Sequence, residues 1–103
     1  MFTKYYEFES KIWTWHANSG QSGAWYLVSL PKETYVEIKE IYGWSRRGFG
    51  SIPVLVTIGE STWKTSIFPS KELGTYILPI KASIRKAEKL RVEDTVKIKV
   101  EIK

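Results

Sequence analysis

Apolar and polar residues alternate along most of this chain, and the alternation is cleanest at its end. Val96, Ile98, Val100 and Ile102 are set against Lys97, Lys99, Glu101 and Lys103, the pattern of an antiparallel strand with one face buried and one in water. Ile52, Val54, Val56 and Ile58 repeat it, and Gly59-Glu60 then turns the chain into Ser61 to Phe68, which predicts a hairpin. Pro53 lies on the opposite face of the first hairpin strand, so that end is an edge or its missing N–H points outward.

Lys4 to Trp15 also alternates, with Tyr6, Phe8 and Ile12 on one face and Glu7, Glu9 and Lys11 on the other. At ~3.3 Å per residue such a run spans about 40 Å, well beyond the ~13 Å radius of gyration of a small domain. A bend or bulge is therefore expected within it. Trp13 and Trp15 share the face of Glu9 and Lys11, so a half-exposed aromatic surface is predicted there. Ala17 to Gly23 reads as a loop, Trp25 to Leu30 as a strand and Thr75 to Pro79 as another.

Two segments switch to helical spacing. Pro31 suits a first helical turn, Glu33 complements the positive helix start, and Tyr35, Ile38, Ile41 and Tyr42 recur on one face, so Lys32 to Tyr42 is a helix stopped by Gly43. Lys81 to Leu90 is the second, with Ile80, Ile84 and Ala87 inward and Lys81, Arg85, Lys86 and Lys89 outward. The order ββαβββαβ, joined mostly by turns, predicts a mainly β fold over residues 1–103. The expected architecture is one small, closed, mostly antiparallel β-barrel of about six strands with two short helices.

Trp25 to Pro31, Arg46 to Ser51, Thr57-Ile58-Gly59, Trp63 to Pro69, Tyr76 to Arg85 and Asp94-Thr95-Val96 together resemble the family catalogued as Domain of Unknown Function nineteen-oh-five. The resemblance spans nearly the whole chain in order and spacing. It implies a small β-barrel with short helices, found alone or ahead of a helical domain of bacteriocin-protection type, and it implies no activity. Glu93 stands where the family usually has a glycine before the aspartate, so the turn at Val92-Glu93-Asp94 is expected to differ.

Composition narrows the chemistry. There is no cysteine, which removes disulfides, thiolate nucleophiles and cysteine-held zinc and suits a cytoplasmic protein. His16 is the lone histidine, so a histidine metal cluster is excluded, and nothing supports a catalytic triad, because Asp94, the lone aspartate, sits in a turn beside Glu93. No cofactor is implied. Glu7 and Glu9 could form a carboxylate pair, but their lysine-rich surroundings favour solvated charge. No apolar run approaches the ~20 residues of a membrane helix. Scarce Asn, Gln and Met beside abundant Lys, Glu and Ile lean toward a thermophilic source.

A net charge of +5 favours anionic partners, although excess lysine also serves solubility. Arg46 and Arg47 beside Gly48 and Gly50 offer guanidinium forks and backbone N–H groups to a phosphate. With Lys64 and Ser66 on the hairpin, and Lys81 and Arg85 on the second helix, they form an anion pocket if the fold gathers them and a solvated rim if it does not. Arg47-Gly48-Phe49-Gly50 also opens like an RNA-recognition motif, but Ser51 to Val54 lack its stacking aromatics, and Phe49 as a barrel plug is favoured. The expected function is a non-enzymatic module that binds an anionic small molecule or protein partner. The alternatives are a homo-oligomerising module, with its five tryptophans in a homodimer contact, and weak nucleic-acid binding.

Overall fold

The computed structural model describes residues 4–15, 24–42 and 50–103. Seven strands and two helices follow in the order β1 (Tyr5–Lys11), β2 (Trp13–Trp15), β3 (Trp25–Ser29), α1 (Lys32–Tyr42), β4 (Ile52–Ile58), β5 (Ser61–Ser70), β6 (Thr75–Pro79), α2 (Ala82–Glu88) and β7 (Thr95–Ile102). The strands form one antiparallel sheet in the order β1-β7-β4-β5-β6-β3-β2, rolled into an open half-barrel. The expected six-stranded closed barrel is thus corrected in strand count and in closure.

Ile12 supplies the physical reason. It divides the long N-terminal run into β1, which pairs with β7, and β2, which pairs with β3. Its own amide donates to the Asp94 carbonyl (2.9 Å), and its carbonyl accepts from the Glu93 amide (2.8 Å), so its backbone is satisfied by the turn before β7 and not by a strand. The two ends of the sheet are therefore halves of one run, and among the described residues no ladder links them. β5 is the other element that reaches across the fold: Ser61 to Ile67 pair with β4, and Phe68 to Ser70 pair with β6.

Strand alternation sets the core. Ile52, Val54, Val56 and Ile58 of β4 and Val96, Ile98, Val100 and Ile102 of β7 are all buried, joined by Tyr6, Phe8, Ile12, Val28, Trp63, Ile67 and Leu78. On the outer face, Glu7 stands opposite Lys99 and Glu9 opposite Lys97 across the β1–β7 ladder, a favourable cross-strand arrangement in water. The Pro53 carbonyl accepts from the Lys103 amide at 3.0 Å, so the N–H that Pro53 lacks falls where that ladder ends.

Both helices bury a narrower stripe than their spacing suggests. Tyr35 and Tyr42 lie about 60° and 40° to one side of Ile38, and Ile41 about 60° to the other. The sheet covers the tyrosine side, where Tyr35 meets Tyr76 edge-on with ring centroids 5.1 Å apart. Ile41 is exposed, contrary to expectation. Ala87 in α2 is exposed for the same reason, because Glu88, on the other flank of Ile84, turns toward the sheet. The Glu88 carboxylate lies against Gly59 in the β4–β5 turn and accepts from the Ser61 hydroxyl at 2.6 Å. α2 ends with Lys89 in the left-handed region (φ 56°), its amide donating to the Arg85 and Lys86 carbonyls.

Candidate functional site

Three of the six basic and polar residues singled out from the sequence meet in one place. β3 and the residue before it deliver Ala24, Trp25 and Tyr26; β5 delivers Trp63, Lys64 and Thr65; the end of β6, the two residues after it and α2 deliver Pro79, Ile80, Lys81 and Arg85. Together they line an open cleft of about 380 Å³. No acidic residue lines it among the described residues, so three cations share a surface of indole and phenol rings.

Each cation is placed differently. Lys64 projects from the outer face of β5 and is exposed, because its neighbours Trp63 and Thr65 turn the other way. Lys81 occupies the extended residue before α2 (φ −72°, ψ 159°) and is also exposed. Arg85 is half-buried and held on two sides. Its guanidinium carbon lies 3.6 Å from the centroid of the Tyr26 ring, and its Nε donates to the Ile80 carbonyl at 3.2 Å. Stacked on an aromatic face and tied at one nitrogen, the guanidinium has no hydrogen bond from its terminal N–H groups among the described residues.

Ser66 does not join them. It lies opposite Pro53 in the β4–β5 ladder, two residues beyond Lys64 on the same outer face, and does not line the cleft. Arg46 and Arg47 lie outside the described residues, as do Gly48, Phe49, Trp44 and His16. Lys64, Lys81 and Arg85 thus line one open cleft, with Lys64 and Lys81 exposed in it.

The residues that sequence reasoning passed over are aromatic. Tyr26, on the inner side of its strand pattern, supplies the stacking face for Arg85. A second groove, of about 560 Å³, crosses the outer face of β2, β3, β6 and the end of β5. Its floor is a grid set by the strand register: Trp15 opposite Trp25, Trp13 opposite Leu27 opposite Pro79, and Phe68 opposite Ile77. Trp13 is fixed by its Nε1, which donates to the Ser29 hydroxyl at 3.0 Å. Leu27 is 4% exposed yet stands apart from the main core, buried beneath this outer layer instead. The half-exposed aromatic surface expected at Trp13 and Trp15 is therefore real, and larger than two residues. A third hollow, of about 580 Å³, lies between α1 and the β5–β6 turn, where Tyr35, Tyr76, Lys39 and Lys71 face Gly50 and Gly74.

Among the described residues no group of three or more His, Asp or Glu side chains is placed to hold a metal ion. No described helix is long and apolar enough to cross a membrane. The Tyr6 hydroxyl is buried without a partner among the described residues, and burial, with smaller contributions from Glu37 and Tyr42, pushes its pKa up to about 12.

No curated protein matches the sequence. A family profile does, over residues 8–100, and its description is a domain of unknown function. With nearly the whole length matched, the chain belongs to the DUF1905 family.

Proposed function

We propose that this domain is a non-enzymatic binding module that takes an anionic ligand in the cleft between β3, β5, β6 and α2. One observation carries the reading: Lys64, Lys81 and Arg85, scattered along the chain, meet on one surface with Trp25, Tyr26 and Trp63. Cations beside low-dielectric aromatic walls bind anions better than cations spread over a solvated face. The ligand is a small molecule or an acidic segment of a protein partner. The lack of cysteine suits work in a reducing, cytoplasmic compartment.

Calorimetric titration with pyrophosphate at low salt tests the reading. Binding that weakens in Lys81→Ala and in Arg85→Ala supports it, and flat heats for the wild type refute it. The same titration with a short oligonucleotide covers nucleic-acid binding, which demands a steep loss of affinity with added salt.

The outer aromatic face favours a second reading, a homo-oligomerising module. Trp15, Trp25, Phe68 and Leu73 are all exposed there, and apolar surface of that kind commonly marks an interaction site. Sedimentation decides it: a strict monomer at high concentration rejects self-association.

A further inference from the structure

The basic cleft and the aromatic groove are one continuous surface, because Trp25 and Pro79 line both. Lys64, Lys81 and Arg85 lie to one side of this pair, and Trp13, Trp15, Leu27, Phe68 and Ile77 to the other. We infer that the ligand is an aromatic anion of mononucleotide type, with its acid group at Lys81 and Arg85 and its planar ring laid on Trp15 and Trp25. This inference rests on the anion-binding role proposed for the cleft and adds the ligand class.

Three features select that class. The groove walls are indole and phenyl rings, and the cross-strand neighbours Trp15 and Trp25 are 54% and 59% exposed, so flat π surface is presented to the outside. A rigid ring gains from stacking on one such face, whereas a flexible acyl chain loses rotamer freedom and needs an enclosing tunnel, which this open groove does not provide. Glu72 is the sole charged residue among the described residues lining the groove. A carboxylate there repels a second acid group and accepts hydrogen bonds from an exocyclic amino group, as on adenine. Charge is thus complementary at both ends: cations for the acid group, a carboxylate for the amino-bearing ring.

The test follows tryptophan fluorescence and heats at low salt in the intact chain, with AMP, adenosine, pyrophosphate and decanoate as probes. Trp15→Ala is the informative variant, because Trp15 is exposed and lines the groove but not the basic cleft. AMP is expected to bind about tenfold or more tightly than adenosine or pyrophosphate, since a stacked ring and a paired phosphate each add affinity. Trp15→Ala is expected to weaken AMP by about tenfold while leaving pyrophosphate unchanged. Pyrophosphate binding as well as AMP, with Trp15→Ala silent, overturns the aromatic ligand and leaves the anion cleft standing. Decanoate binding better than AMP overturns it in favour of an acyl ligand. A dimer that shields the tryptophans from quencher also overturns it. Failure of every anion removes both the inference and the reading beneath it.

Discussion

The guanidinium of Arg85 stacks on Tyr26 at 3.6 Å while its Nε is tied to the Ile80 carbonyl. An α2 cation is thereby locked to the β3 strand and to the end of β6 before any ligand arrives. Pre-organisation of this kind removes part of the entropy cost of binding. Lysine keeps the charge but not the planar stack or the fork. Arg85→Lys is accordingly expected to weaken pyrophosphate binding by about 1 kcal/mol or more, measured by calorimetry. Equal affinity would mean that Arg85 acts as a point charge or not at all.

Tyr6 gives a pH signature. Its hydroxyl is buried without a partner among the described residues, and its pKa stands at about 12 against an ordinary 10.0. Between those values the unfolded chain has released the tyrosine proton and the folded chain retains it, so folding stability falls as pH rises through this window. Below pH 10 the contribution is fully present. Tyr6→Phe is expected to flatten the decline between pH 10 and 12. At neutral pH it should leave stability unchanged or raise it by up to about 1 kcal/mol, because no hydrogen bond to a described residue is lost. Denaturant melts of both proteins across that range check it, and an identical slope would count against the burial of Tyr6.

Glu93 holds φ at 77°, in the left-handed region that favours glycine. The turn thus has a backbone that suits glycine, the residue that the family resemblance implied before Asp94, and it bears the strain of a side chain. Its ion pair with Lys11, at 3.8 Å between exposed groups, adds little. Glu93→Gly is expected to raise stability by about 0.5–1 kcal/mol. A lower melting temperature would show that the side chain matters more than the backbone.

Gly59 is glycine for two reasons at once. Its φ is 58°, and a Cβ there would run into the Glu88 carboxylate. Gly59→Ala is expected to cost about 1–3 kcal/mol, by backbone strain and by displacing Glu88 from Ser61. If Glu88→Ala in the same background recovers none of the loss, the contact is irrelevant and only the backbone counts.

The strand faces make a paired prediction. Val56→Ala and Ile98→Ala, both at fully buried positions, should cost about 1–4 kcal/mol each, and exposed Lys97→Ala less than about 0.5 kcal/mol. Similar losses from chemical denaturation would mean that the faces are assigned wrongly.

Legibility in the sequence followed solvation. β4 and β7 could be read residue by residue because water lies on one face and lysine, glutamate or proline marks it. β3 and β6 could not. Trp25-Tyr26-Leu27-Val28 and Tyr76-Ile77-Leu78-Pro79 are apolar on both faces, so periodicity conceals which side faces the core. That two-sided apolarity was itself the available signal for the outer groove. The sheet's open ends were hidden in Ile12, whose partners Glu93 and Asp94 stand at the far end of the chain. The meeting of Lys64, Lys81 and Arg85 depended on the β5–β6 pairing and was open from spacing alone. The helical stripes were drawn too wide, since the sheet covers the flank bearing Tyr35 and Tyr42 and leaves Ile41 in water.

Because the first run is shared between opposite margins of the sheet, neither half of the molecule can be assembled in isolation. Sealing the β1–β7 ladder demands that segments from the two extremes of the chain find each other, a high-contact-order step expected to make folding slow. The same stitching makes the collapse of one margin propagate to the other, so thermal melting should be a single cooperative event with coincident tryptophan and amide signals.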